Sequence, residues 1–354
     1  MDGSLTGDKT KERLGWLDFG KVLGILVVLL VHAEGSPGPV TFYGGMFYMP
    51  VFFVAAGYTF RHKEGETFRA YLKKKAKRLL LPYAGTSAFL WLFFWVKDSL
   101  LAGTPGDLKL LSVLGIFYSR NQMHTMAYAG ENPVLLNLLN APLWFLTALF
   151  LTSAWYGFAD RSRWKYVLLA LGAVMAFLWH YGTKLLLPWS LDAVPLFACF
   201  MAAGEFLREK KQEKLLGELW FLGLLLVVFI TASQLNGSMN LSSGDYGHSI
   251  LLCLIAGTTG SLLVFAAGMW LEKKCPPLMK LCSLAGQETL TVLCFHMFLF
   301  MFIRTGASLL GLPAVLTQIL LVVGSMATLT GVGWVVHHKV WMQDFYHAHK
   351  NIEK

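Results

Sequence analysis

Apolar stretches of about 20 residues, the length that a helix needs to cross a bilayer, alternate with short polar segments along this chain. Ten can be marked, at 16–34, 43–60, 79–100, 142–159, 166–181, 190–207, 215–234, 248–271, 281–303 and 313–336. Lipid admits only helices or closed barrels, and these stretches are too long for strands. The pattern therefore predicts an all-α bundle of about ten transmembrane helices. Since no repeat or low-complexity linker interrupts it, we expect a single domain over residues 1–354.

Basic residues are concentrated in every second connection between these segments. Of the 30 Lys and Arg residues, 24 lie at the two termini or in the connections that follow even-numbered segments, with eight of them in 61–78. Cytoplasmic loops carry such an excess, so both termini are predicted to be cytoplasmic. The net charge of +9 then reflects topology and not nucleic-acid binding.

The composition agrees with a membrane protein and adds little chemistry of its own. Hydrophobic residues make up 55% of the chain, charged residues 14%, and the mean hydropathy is +0.53. The five cysteines form no CxxC pair, and no HExxH or EF-hand spacing occurs, so neither a disulfide framework nor a metal site is expected. The longest external connection, 101–141, is predicted to lie over the outer surface as a lid.

The first apolar segment carries ionisable residues at both ends. Asp18 and Lys21 lie near its start, and His32 and Glu34 near its end. On a helix Lys21 and His32 fall within about 20° of one face and about 16 Å apart, with Asp18 about 60° from Lys21. One reading is an inward polar face that lines a cavity, because charges at membrane depth are costly. The other is an ordinary span whose ends snorkel to the two interfaces.

Two more segments contain candidate chemistry. The basic run 69–78, with Arg69, Lys77 and Arg78, either anchors the chain at an anionic leaflet or binds a phosphorylated cytoplasmic ligand. The ninth segment places Glu288 and His296 in apolar surroundings, about 12 Å apart along one helix. A single histidine on such a helix is commonly satisfied by a backbone carbonyl, but two spans that each carry a histidine and a carboxylate are less easily explained in this way.

The second segment is interrupted by Pro50 and Gly57 in an aromatic context. This pattern predicts a kinked helix that makes close contact with a neighbour.

Five motifs, in order and spacing, resemble the integral-membrane acyltransferase-3 family, and most closely its fucose-4-O-acetylase-like branch. They are WLDFGKVLGILVVLLVHA at 16–33, FYMPVFFVAAGYTF at 47–60, KKAKRLLLPY at 74–83, PLWFLTALF at 142–150 and FHMFLF in the ninth segment. The chain departs from the family at two positions, with Lys21 where Arg is usual and Ala56 in place of Ser before Gly57. Lysine keeps the charge but loses the bidentate fork of arginine.

The resemblance implies transfer of an acetyl or other short acyl group from cytoplasmic acyl-CoA to a hydroxyl of an extracytoplasmic glycan or sugar. It implies His32 as general base, with Glu34 as its orienting partner, and a transient acyl-His32 is a second possibility. Acyl-CoA is a co-substrate, and no bound cofactor is expected. Expected acyl-CoA contacts are Asp18, Lys21, Arg69, Lys77 and Arg78, and expected acceptor contacts are Trp144, Glu288 and His296.

A different class of function fits the same pattern. Ten helices with buried charge also describe a transporter of a small polar substrate, although the inverted repeats common in transporters are not evident. The expected location is a cell membrane, such as the cytoplasmic membrane of a bacterium. The acceptor and the oligomeric state are left open by the sequence.

Overall fold

The architecture was obtained as a computed structural model, which describes residues 13–33, 38–101, 108–120, 122–123, 134–135, 141–183, 185–209 and 211–350. Within these residues the chain is almost entirely helical. The α-helices are α1 (Gly15–Ala33), α2 (Pro39–Phe47), α3 (Pro50–Thr59), α4 (Phe68–Leu101), α5 (Leu108–Tyr118), α6 (Trp144–Asp160), α7 (Lys165–Thr183), α8 (Val194–Glu209), α9 (Leu219–Asn236), α10 (Ile250–Lys274), α11 (Pro276–Gln287), α12 (Thr289–Leu309), α13 (Ala314–Ile319) and α14 (Ser325–Lys350).

Shorter elements connect them. In the ranges that the structure describes, four 3₁₀ segments lie at Ala141–Leu143, Pro188–Ser190, Gln212–Gly217 and Leu241–Ser243, and a π-turn at Leu320–Gly324 joins α13 to α14. In the described part of the chain the only strands are β1 (Gln122–Met123) and β2 (Val134–Leu135), which pair antiparallel. The all-α prediction is confirmed.

Among the described residues, ten helical segments are long and apolar enough to cross a membrane, as the hydrophobic pattern predicted. They are Gly15–Ala33, Pro39–Thr59, Phe68–Leu100, Ala141–Asp160, Lys165–Thr183, Pro188–Glu209, Leu219–Asn236, Ile250–Lys274, Thr289–Leu309 and Ala314–His338. The chain is therefore a multi-pass membrane protein.

Two segments differ from their predicted bounds. The third begins at Phe68 instead of residue 79, so the basic run 69–78 forms the first turns of α4; Lys, Arg, Ala and Leu all favour helix. The ninth was predicted as one helix over 281–303, but it divides at Glu288, whose φ of −99° and ψ of 6° end α11 before α12 begins. Glu288 caps the start of α12, where its carbonyl oxygen accepts from the Val292 N–H at 3.0 Å, so the predicted placement of Glu288 and His296 at one end and in the middle of the same helix is kept.

The second span shows both features predicted for it. The chain breaks between α2 and α3, where Pro50 occupies the first turn of α3 and has no N–H for a hydrogen bond to α2. Gly57 lies within α3, where it allows a close approach. A Cβ atom at Gly57 would lie 1.9 Å from the Met201 carbonyl oxygen, and one at Gly204 would lie 1.9 Å from that of Val54. Helices α3 and α8 therefore pack backbone against backbone.

Helix α1 occupies the centre of the bundle. It contacts α2, α3, α10, α11, α12 and the π-turn. Ile25, Val28 and Leu29 on this helix are fully buried. The first apolar segment is thus surrounded by protein along much of its length, and its polar residues meet groups from other helices.

Candidate active site

His32 lies in the last turn of α1 and is held by the backbone of its own helix. Its Nδ1 lies 2.7 Å from the Val28 carbonyl oxygen. A carbonyl can only accept, so Nδ1 carries a proton, and in the neutral imidazole Nε2 then carries the lone pair. The imidazole is half-buried, with Nε2 set as a proton acceptor. This is the tautomer that a general base at Nε2 requires.

His296 lies in the second turn of α12 and is fully buried. Its Nδ1 lies 3.0 Å from the Val292 carbonyl oxygen and 3.1 Å from that of Leu293, so it too is protonated at Nδ1. Among the described residues Nε2 has no hydrogen-bond partner. A buried acceptor without a donor is costly, which marks the position where the hydroxyl or N–H of another molecule would be favoured.

The two histidines are in contact although 264 positions separate them in the sequence. Their ring centroids lie 5.3 Å apart and the ring planes meet at 80°, an edge-to-face arrangement. His296 is also edge-on to Phe300, at 5.6 Å. Two imidazoles that each present an unprotonated Nε2 thus share one site between α1 and α12.

Arg304 adds a positive charge at this site. Its Nη2 donates to the His32 carbonyl oxygen at 2.8 Å. The carbonyls at the C-terminal end of a helix lack partners within the helix, and a cation is favourable there. The sequence analysis did not identify this role of Arg304, since nothing in the local pattern shows that α12 returns to the end of α1.

Glu34, the predicted partner of His32, lies outside the described residues. The Val28 carbonyl already accepts the Nδ1 proton of His32. The orienting role of Glu34 stays a prediction.

Asp18 and Lys21 form an ion-pair cluster at the opposite end of α1. The carboxylate of Asp18 is buried, lies 2.5 Å from Lys21 Nζ and also pairs with Arg13. Ser283 on α11 donates to it at 3.3 Å. Asp18 is buried against α11, which agrees with the prediction that the polar face at this end of α1 points into the bundle. Lys21 keeps partial exposure, with 27% of its side chain accessible.

Cys282 lies on α11, close enough to the Asp18 carboxylate to feel its charge. Burial and the neighbouring Asp18 carboxylate raise the pKa of the Cys282 thiol. A thiol kept protonated in this way is a poor nucleophile, so the cluster does not resemble a cysteine-based acyl-carrying site.

Arg69, Lys77 and Arg78 lie exposed on the first turns of α4. In the described part of the chain none of the three has an ion-pair partner. Unpaired cations on one helix end suit either an anionic membrane surface or phosphate groups, so both predicted roles remain possible for them.

Glu288 and Trp144 take other positions. Buried Glu288 lies between α11 and α12, with its carboxylate 2.7 Å from His337 Nδ1 and 3.2 Å from Thr291 Oγ1. Trp144 is buried at the start of α6, with its ring centroid 6.2 Å from those of both Phe145 and Phe197. These partners belong to the packing of the bundle, and the predicted acceptor contacts of both residues stay predictions.

A buried ion pair between Arg120 and Asp192 was not anticipated. Arg120 is completely buried, with Nη1 3.0 Å from Asp192 and Nε 3.2 Å from Ser190 Oγ. It ties the chain after α5 to the segment that leads into α8. Nothing in the sequence around Arg120 pointed to its partner, which lies 72 positions away.

Comparison with known proteins adds one match. A family model described as an acyltransferase domain, of the acyltransferase-3 type, matches residues 14–338. No curated protein and no solved structure matches the chain significantly.

Proposed function

The chain belongs to the acyltransferase-3 family, and from this membership and the paired histidines we propose that it moves a short acyl group, acetyl being the simplest, from cytoplasmic acyl-CoA to a hydroxyl of an extracytoplasmic glycan or sugar. The membership makes it a membrane acyltransferase; the donor and the acceptor are our proposal. We place it in a cell membrane with both termini in the cytoplasm.

The observation that carries the proposal is the tautomer of His32. With Nδ1–H bonded to the Val28 carbonyl, Nε2 is available to take a hydroxyl proton. The acceptor oxygen then forms a bond to the thioester carbonyl carbon, the carbon–sulfur bond breaks, and the departing CoA sulfur takes the proton from the His32 imidazolium. Positioned acid–base groups of this kind contribute about 10²–10⁴-fold. The alternative is a two-step relay through acyl-His32.

His296 is proposed as an acceptor contact. Its buried, unpartnered Nε2 can accept a hydrogen bond from a second hydroxyl of the acceptor while His32 takes the proton of the first. A sugar, which carries several hydroxyls, provides both donors. This arrangement supports a polyhydroxylated acceptor.

The CoA phosphates are proposed to bind at the Lys21 end of the bundle. Lys21, oriented by Asp18, and the exposed cations Arg69, Lys77 and Arg78 supply the positive charge. Lysine and arginine donors form strong charge-assisted hydrogen bonds with phosphate. Both sets lie on segments that the charge pattern assigns to the cytoplasm.

Removing charge from α4 provides a test of this donor site. Lys77→Gln combined with Arg78→Gln should raise the KM for acyl-CoA roughly tenfold or more, because each charged hydrogen bond contributes about 1.5–3 kcal/mol. The KM for the acceptor should change little. Steady-state kinetics with the purified protein measure both. Lys97→Gln, which removes an exposed charge near the other end of α4, is the matched control. An unchanged KM for acyl-CoA in the double variant would mean that Lys77 and Arg78 act as a membrane anchor instead.

The orientation can be checked separately by single-cysteine labelling in a cysteine-free background. A cysteine at exposed Lys73 should react only from the cytoplasmic side. A cysteine at exposed Asp245, between α9 and α10, should react from outside. Labelling of residue 73 from outside would overturn the proposed direction of transfer.

The reaction itself is tested by supplying purified protein in nanodiscs with acyl-CoA and measuring release of free CoA with and without candidate sugars. Surface glycans from cells with and without the gene should differ by the mass of one acyl group. Movement of a solute across the bilayer with no consumption of acyl-CoA would support the transporter reading and contradict this proposal.

A further inference from the structure

An open apolar cleft of about 320 Å³ lies between α12 and the last span. It is lined by Leu299, Ile303, Gly306, Ala307, Leu310, Leu312, Leu320, Gly324 and Thr328. Among these lining residues only Thr328 has a polar side chain, so the cleft suits a hydrocarbon and offers almost nothing to a sugar.

The cleft begins about one helical turn beyond His296 on α12. Leu299, the first lining residue on this helix, follows His296 by three positions, about 4.5 Å along the axis. Ile303 and Ala307 lie within about 20° of His296 around the same helix. The cleft therefore follows the His296 face of α12 from Leu299 onward, away from the Lys21 end.

The opposite wall is formed by the π-turn, Leu320–Gly324, which contacts both α1 and α12. π-turns inside helices are rare and frequent at functional sites. Here the turn packs against the two helices that carry His32 and His296. One wall of the cleft and the site thus share the same supporting elements.

The space inside the cleft is open at Gly306. A Cβ atom built there would meet no other atom within 4 Å. A larger side chain at this position can therefore enter the cleft without displacing backbone. This makes Gly306 suitable for closing the cleft while leaving the fold intact.

We propose that the cleft holds the hydrocarbon tail of the donor acyl group, so that the protein transfers chains longer than acetyl. The proposal rests on the proposed function. With the thioester carbonyl at the histidine pair and the CoA phosphates at the Lys21 end, the sulfur points toward that end. The remaining substituent of the carbonyl carbon is the acyl chain, which then points away from it, along the cleft. Each methylene buried there contributes about fourfold in binding, from about 0.8 kcal/mol.

The test compares acetyl-CoA with octanoyl-CoA as donors for the purified protein in nanodiscs. Wild type should favour octanoyl-CoA in kcat/KM by at least tenfold. Gly306→Leu should lose at least tenfold with octanoyl-CoA and stay within about twofold with acetyl-CoA, because only the longer chain reaches the filled space. Gly223→Leu, on α9 at another position where a Cβ meets nothing within 4 Å, should leave both donors unchanged. Elution profile and melting temperature report that each variant is folded.

Three results would overturn the proposal. Acetyl-CoA used as well as octanoyl-CoA by wild type would do so while leaving the proposed function intact. Equal effects of Gly306→Leu on both donors, with a raised KM for a lipid-linked acceptor, would assign the cleft to the acceptor. No effect of Gly306→Leu on either donor would mean that bilayer lipid fills the cleft. If no acyl-CoA of any length is consumed, the proposed function itself fails.

Discussion

Replacing His32 with glutamine should abolish acyl transfer, with a loss of at least about 10²-fold in kcat, the lower end of what a positioned base supplies. Glutamine keeps a hydrogen-bonding side chain of similar reach but cannot take a proton at neutral pH. His32→Ala should be equally inactive. Acyl-CoA binding should stay near normal in both variants, because the proposed donor contacts lie at the other end of α1. Single-turnover assays and acyl-CoA titration measure the two quantities.

His296 provides the contrast within the same site. His296→Ala should cost less than His32→Gln and should act mainly on the KM for the acceptor, since we assign His296 to an acceptor hydroxyl. Purified His32→Gln protein that retains transfer within about tenfold of wild type would show that His32 is not the base, because that loss is smaller than such catalysis normally contributes. A His296→Ala loss as deep as that of His32→Gln would give His296 a share in the proton transfer.

Gly204→Ala should prevent the bundle from folding stably. The added Cβ would lie 1.9 Å from the Val54 carbonyl oxygen, an atom of the facing backbone that cannot rotate away as a side chain could. Overpacking of this type costs about 3 kcal/mol or more when the backbone must move. We expect a large fall in the melting temperature and in the yield of monodisperse protein. Gly57→Ala, which meets the Met201 carbonyl at the same distance, should behave alike.

Gly85→Ala is the matched control for this pair. It lies on α4, where a Cβ would meet nothing within 4 Å, and alanine favours helix over glycine by about 1 kcal/mol. Its melting temperature should match or exceed that of wild type. If Gly204→Ala melts as wild type does, helices α3 and α8 are further apart than this structure has them, and the backbone packing of the two helices is wrong.

The spans were predictable because each depends on a local property. Lipid requires about 20 apolar residues in every crossing helix, and that requirement can be read without knowing which helices touch. The division at Glu288 could not be seen this way, because apolar residues continue on both sides of it. At the point where α11 ends, the Glu288 carboxylate contacts His337, which lies on a span 49 positions later.

The candidate site was predictable in its parts and not in its assembly. His32 was identified because an ionisable residue stood out in an apolar helix and matched a family motif. His296 was noticed for the first of these reasons, but its contact with His32 depends on how α1 and α12 pack. The Arg304 bond to the His32 carbonyl has the same origin. The pairing of Asp18 with Lys21, three positions apart on one helix, was within reach of the sequence.

The central position of α1 has a consequence for biosynthesis. This helix is translated before the other described helices, yet it packs against α10, α11 and α12, which are translated only after α9. Until α11 and α12 arrive, Asp18 lacks its Ser283 donor and His32 lacks both the His296 ring and the Arg304 cap. The proposed catalytic centre is therefore completed only after α12 has been translated, and a nascent polypeptide released before α12 would carry the base without its partner.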